Sequence, residues 1–302
     1  GAPESLLRLK ISTPIFPQVP LPENLTELEI GGITSENLNP PPLPLSLVTL
    51  RLKSRIADLS VFAPLPTSLR YLHIADTDTS SILHLLPSDL EELRFDLSMA
   101  VVGPKEIEKL PRSLRSLWLD GQLWGDPKLR ASNITHLPPN LETLLISVQI
   151  GVRFELLPRT LTKLTLTHVD VGGPLLIPHL PAGLLYLSLP RIQDINDVLL
   201  SLLPLKLRTF KAPHSFRITQ MELLPRTLRS LRLHHIADAK IAALPPQLTE
   251  LRLEEWSFQN STLSWAGVCK LPDTLTELRL SELHLADADF AQFKWPKQLK
   301  TL

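Results

Sequence analysis

The sequence predicts a repeat solenoid, α/β or mainly β in class, with a parallel sheet along one face and irregular, 3-10 or short helical segments along the other. Three observations predict it. A frame of the form Leu-Pro-x-x-Leu-x-x-Leu-x-Leu recurs along the 302 residues, as LPRTLTKLTL at 157–166 and LPRTLRSLRL at 224–233. Its proline falls at Pro3, Pro22, Pro44, Pro66, Pro87, Pro111, Pro138, Pro158, Pro181, Pro204, Pro225, Pro245, Pro272 and Pro296, which makes 14 copies at intervals of 19 to 27 residues. Finally, proline is abundant at 29 residues and glycine scarce at 11, so the apolar surface must be buried by short segments rather than long helices. A fixed period that leaves no segment over implies one domain, 1–302, of about 14 repeats.

Each part of the frame has a physical reading. The proline cannot donate to a ladder and pushes the residue before it into an extended conformation, so Leu-Pro stands outside the strand and punctuates each coil. Leu-x-Leu alternates with period two, as in Leu164-Thr165-Leu166 and Leu251-Arg252-Leu253, and reads as a short strand with one buried face. Three residues before the leucine of Leu-Pro stands another apolar residue: Ile107, Ile134, Phe154, Ile177, Met221, Ile241 or Val268. That spacing predicts one turn of 3-10 or α-helix packing inward. One coil cannot cover its own apolar face, whereas stacked coils bury a continuous leucine column.

The frame resembles the leucine-rich repeat, whose signature is Leu-x-x-Leu-x-Leu followed by Asn or Cys. The Leu-Pro lead-in is most similar to the FNIP repeats of amoebae and the short repeats of secreted bacterial effectors. The resemblance covers the whole chain and implies a horseshoe whose concave face is a parallel sheet. Where the superfamily carries an Asn ladder, this chain has Ile33, Val169, Ile192, Ile236, Trp256 and Leu283, so the turn after the strand is expected to pack by apolar contact. The Phe-Asn-x-Pro-Ile element of FNIP repeats is absent from the sequence.

Composition narrows the function. Lys plus Arg and Asp plus Glu number 31 each, so no global field draws the chain to nucleic acid or anionic lipid, and any charge recognition is local. Cys269 is the one cysteine, which leaves no intramolecular disulfide and no Cys-based metal site. Its position in a packing turn predicts a buried, inert thiol. No apolar run reaches membrane-span length. His168, His214 and His235 share one position in the frame and read as surface histidines, as do His136 and His179 before Leu-Pro. Gly172-Gly173-Pro174 lacks the spacing and lysine of a phosphate loop. No catalytic constellation survives the register, so no enzyme activity, cofactor, metal or small-molecule substrate is expected. A cytoplasmic setting is expected, with secretion or the cell surface as the alternative, in which the sequons at Asn24, Asn133 and Asn260 would matter.

What remains is the outward face of the strands, where the resemblance places function. Its central row runs Lys10, Glu29, Arg51, His73, Arg94, Trp118, Leu145, Thr165, Ser188, Lys211, Arg232, Arg252, Arg279. Flanking rows include Tyr71, Asp96, Asp120, Thr143, Ser147, Tyr186, Glu250, Glu254 and Glu277. Both tyrosines of the chain point outward in this register, and aromatic anchors are what interface hot spots use. The candidate partner-binding residues are therefore Tyr71, His73, Trp118, Leu145 and Tyr186, joined by the basic stretch Lys211, Arg232, Arg252 and Arg279. The expected role is a non-catalytic protein-binding module, with a structural or adhesive spacer as the alternative.

Overall fold

The computed structural model describes residues 3–12, 19–32, 39–53, 59–75, 83–97, 107–121, 133–134, 136–147, 151–152, 156–167, 180–190, 192, 195–215, 218–234, 236–254, 265–281 and 294–302. Ile33, Phe154, His168, Val169, Gly172, Gly173, Pro174, Ile177, His179, His235, Trp256, Asn260 and Leu283 lie outside them, as do the side chains of Asn133 and Ile134.

Among the described residues fifteen strands follow in chain order: β1 (Arg8–Ser12), β2 (Glu27–Gly31), β3 (Thr49–Lys53), β4 (Tyr71–Ala75), β5 (Glu92–Leu97), β6 (Ser116–Gly121), β7 (Asn133–Ile134), β8 (Thr143–Ile146), β9 (Gly151–Val152), β10 (Lys163–Leu166), β11 (Tyr186–Ser188), β12 (Thr209–Ala212), β13 (Ser230–Leu233), β14 (Glu250–Glu254) and β15 (Glu277–Ser281). The residues gather into two compact units, Gly1–Leu161 and Thr162–Leu302. In the first, β1 to β6 and then β8 pair in sequence, every pair parallel, and the two-residue strands β7 and β9 pair separately. In the second, β10 to β15 do the same.

The prolines explain the regularity. At each of the 14 frame positions the leucine three residues on donates its N–H to the proline carbonyl, at 3.0–3.3 Å. The proline is thus the first residue of a β-turn that leads into the strand, and it contributes its carbonyl, so its missing N–H costs nothing there. Five residues after the first 13 prolines a strand begins, and five after Pro296 stands Thr301, which bridges to Glu277. Between turn and strand, one carbonyl per coil takes two N–H groups from the next coil: Leu7 from Thr26 and Glu27, Val48 from Arg70 and Tyr71, Arg229 from Thr249 and Glu250.

The apolar residues, mostly leucine, that stand three, six and eight past the prolines of the inner coils form the core. Leu25, Leu28 and Ile30 in the first unit, and Leu228, Leu231 and Leu233 in the second, are fully buried. The return limb supplies the opposite wall with single helical turns, as the spacing predicts: 3-10 turns at Leu83–Leu85, Met221–Leu223 and Asp238–Ala243, and short α-helices at Asp197–Ser201 and Trp265–Val268. Ile107, Met221, Ile241 and Val268 are all buried. So are Ile192 and Ile236, two of the apolar residues expected to pack the turn after the strand. Gly32 leaves β2 at a φ of 73°, a left-handed conformation that suits glycine.

A polar ladder does exist, on the other side of the strand. After the first coil, where the residue two past the proline is Ser or Thr, its hydroxyl reaches back to the turn carbonyls of the preceding coil. Ser46 Oγ donates to Glu23 and Leu25, Ser113 Oγ to Ser88 and Leu90, Thr160 Oγ1 to Pro139 and Leu141, Thr227 Oγ1 to Leu205 and Leu207, and Thr274 Oγ1 to Leu248, at 2.5–3.1 Å. Asp89 is one break in the row, since a carboxylate cannot donate. There Arg70 Nη1 takes over, donating to Thr67 and Leu69 carbonyls at 2.9 and 3.2 Å. Two expectations need correction. Ser147 and Ser188 are buried, at 8% and 6% exposure, although they stand in outward rows, because short side chains sink between larger neighbours. Cys269 is half-buried rather than fully enclosed.

Candidate binding face

In the first unit the strand register sets Arg51, His73, Arg94, Trp118 and Leu145 side by side in successive coils, and Thr49, Tyr71, Glu92, Ser116 and Thr143 beside them. The alternation of each strand turns both rows away from the leucine core. Tyr71 is 42% exposed, and His73, Trp118 and Leu145 are half-buried. Over β3, β4 and β5 lies a groove of about 370 Å³ lined by Thr49, Arg51, Tyr71, His73, Glu92 and Arg94.

One carboxylate organises the middle of this face. Asp96 accepts from Arg94 Nε at 2.9 Å and faces His73 Nε2 at 2.7 Å. Burial pushes its pKa up, but the bonds to Arg94 and His73 outweigh it and hold the carboxyl below the usual aspartate value. Anchored so, the Arg94 guanidinium lies 5.1 Å from the centroid of the Trp118 ring, within cation–π range. Trp118 Nε1 donates to Ser116 Oγ at 2.9 Å, so the indole is fixed at both ends. Toward β1, Glu29 is bridged by Lys10 and Lys53 at 3.0 and 3.1 Å, and those bonds lower its pKa. The face is thus a mixture of ring surface and guanidinium groups, ordered around Asp96 and Glu29.

The second unit brings the other predicted residues together. Lys211, Arg232, Arg252 and Arg279 stand in direct register on β12 to β15. Arg232 Nη2 pairs with Glu254 at 2.7 Å, while Arg252 Nη2 and Arg279 Nε both contact Glu277 Oε1 at 2.8 Å. Tyr186 lies between two ammonium groups, Lys163 at 5.1 Å and Lys211 at 5.2 Å from its ring centroid. His234 is buried, and its Nδ1 lies 2.6 Å from the Glu254 carbonyl. A carbonyl only accepts, so this nitrogen carries the proton.

Sequence reasoning missed a second groove, of about 520 Å³, along the turn edge of the first unit. Arg70, Glu91, Arg115 and Glu142 alternate in sign along it, and Arg115 pairs with Glu142 at 2.8 Å. Reading the position four past the proline as a column, coil by coil, would have revealed this row. Among the described residues there is no group of three metal-ligating side chains, and no helix long and apolar enough to cross a membrane.

No protein-family model and no curated protein matches the chain. Among solved structures it is similar to YopM from Yersinia enterocolitica WA-314, with 24% identity and a TM-score of 0.51 over 92% of this chain and 55% of that one. It is also similar to the circular leucine-rich-repeat protein CroV588, with 20% identity and a TM-score of 0.48 over 92% of this chain and 49% of that one. A third similarity is to the internalin InlF from Listeria monocytogenes, with 17% identity and a TM-score of 0.42 over 88% and 69% of the two chains. The fold is that of a leucine-rich-repeat solenoid. The chain spans about half the length of YopM and of CroV588.

Proposed function

We propose that this chain is a non-catalytic protein-binding module, one array over 1–302, which takes its partner on the outward face of its strands. The observation that carries this reading is Tyr71, exposed above a groove whose rim is set by Arg51, His73 and Arg94 and continues to Trp118 and Leu145. Exposed aromatic side chains cost a free protein solubility, and such rings beside ordered guanidinium groups recover their burial only against a second surface. Solenoids of this kind present long one-sided surfaces of this type for binding. The cytoplasmic setting is part of the proposal and rests on the lone cysteine.

A peptide library displayed on phage, selected against the immobilised protein, tests the face. Under this reading most selected sequences lose at least about tenfold in affinity when Trp118→Ala and Tyr71→Ala are introduced together. Selected sequences that bind the doubly substituted protein unchanged would move the binding surface elsewhere and leave the spacer role as the better account of the strand face.

A further inference from the structure

The described strand face of the second unit carries five cations, Lys163, Lys211, Arg232, Arg252 and Arg279, against three carboxylates, Glu250, Glu254 and Glu277. The surplus is not scattered. Four of the five stand in one line, one per coil, and like charges about 4.8 Å apart repel. The nearby carboxylates relieve this only in part: Arg252 and Arg279 share the single oxygen Glu277 Oε1. Arg232 is engaged through Nη2, and its Nε is buried without a hydrogen-bond partner among the described residues. A buried unpaired donor is costly, and a charged one more so. At the head of the line Tyr186 lies between Lys211 and Lys163, which carries the positive strip two coils further, to β10.

We propose that this line receives an acidic polypeptide segment whose carboxylates recur along one side. The inference rests on the reading of the strand face as a binding surface, but not on the aromatic cluster of the first unit. Carboxylates spaced by one helical turn recur about every 5.4 Å, close enough to the coil spacing of about 4.8 Å to keep step over four coils. A guanidinium's planar fork takes a carboxylate through two bonds, and Arg252 and Arg279 each meet Glu277 through a single nitrogen. A nucleic acid fits less well: Glu250 and Glu277 on one side and Glu254 on the other narrow the positive strip to one side chain, and a neutral chain lacks the broad field that draws a polyphosphate.

The test is fluorescence polarisation with a labelled peptide of about three helical turns bearing glutamate once per turn, beside its glutamine analogue and a single-stranded oligonucleotide of equal charge. The acidic peptide should bind, and more weakly as salt rises. Arg232→Glu with Arg252→Glu should lower its affinity at least about tenfold and flatten the salt dependence. Lys206→Glu with Arg226→Glu, two exposed turn residues, should retain binding, and so should Trp118→Ala. Should the double glutamate variant fail to fold, Arg232→Gln with Arg252→Gln carries the same comparison. Equal binding of the glutamine analogue, equal loss from the turn variant, or tighter binding of the oligonucleotide would each overturn the proposal. Loss on Trp118→Ala alone would transfer the peptide to the first unit, leaving the protein-binding role intact and this line idle.

Discussion

Asp96 is the residue on which the first unit's face turns, because it holds both Arg94 and His73. Its pKa is lower in the folded chain than in the unfolded one. Such a group adds stability above its unfolded pKa and loses it as pH falls through the folded pKa. Asp96→Asn should therefore destabilise the protein at neutral pH, and its difference from the parent should shrink below about pH 4. Urea unfolding of both proteins across that range reads the effect. The outward placement of His73 and Arg94 was legible from the two-residue alternation, which is local. Their convergence on Asp96, and the seating of Tyr186 between Lys163 and Lys211, were not, because each involves residues brought together only by stacking. Neighbour size decided the rest: Ser147 and Ser188 obey the alternation and are buried all the same.

At the scale of the element, the turn that opens each strand does more than the frame suggests. Its proline and leucine are visible in sequence, and so is the strand that follows. The ladder at the second position is not, because Ser, Thr and Asn there look like ordinary turn residues. Their work becomes visible only when the acceptors in the preceding coil are found. Thr227→Val removes the donor to Leu205 and Leu207 at nearly constant shape, and should cost about 1 kcal/mol in denaturant unfolding. The Asp89 coil supplies a sharper test. If Arg70 stands in for the missing hydroxyl, Arg70→Ala should destabilise the parent more than it destabilises Asp89→Ser, where the hydroxyl is restored. A double-mutant cycle measures that coupling, and strict additivity would show that Arg70 is not the substitute.

Across the molecule, the repeated frame made the solenoid and its buried column readable from sequence, since the same alternation recurs in every coil and only one register hides all the leucines. Leu231 is fully buried, so Leu231→Ala should cost about 2–5 kcal/mol; thermal and urea unfolding measure it, and a loss below about 0.5 kcal/mol would contradict the register. The proposed binding surface was readable only as a list of outward residues, because which of them stand clear of their neighbours depends on side-chain packing across coils. Leu117 and Trp118 condense the account into adjacent positions: the first is fully buried, the second lies on the outward face under Arg94. The decisive measurement is paired, taking stability and affinity for a display-selected peptide on Leu117→Ala and Trp118→Ala. Trp118→Ala should lose about 2 kcal/mol or more of binding with a smaller loss of stability than Leu117→Ala. Unchanged binding by Trp118→Ala, or a binding loss that merely follows its loss of stability, would contradict the proposed binding surface.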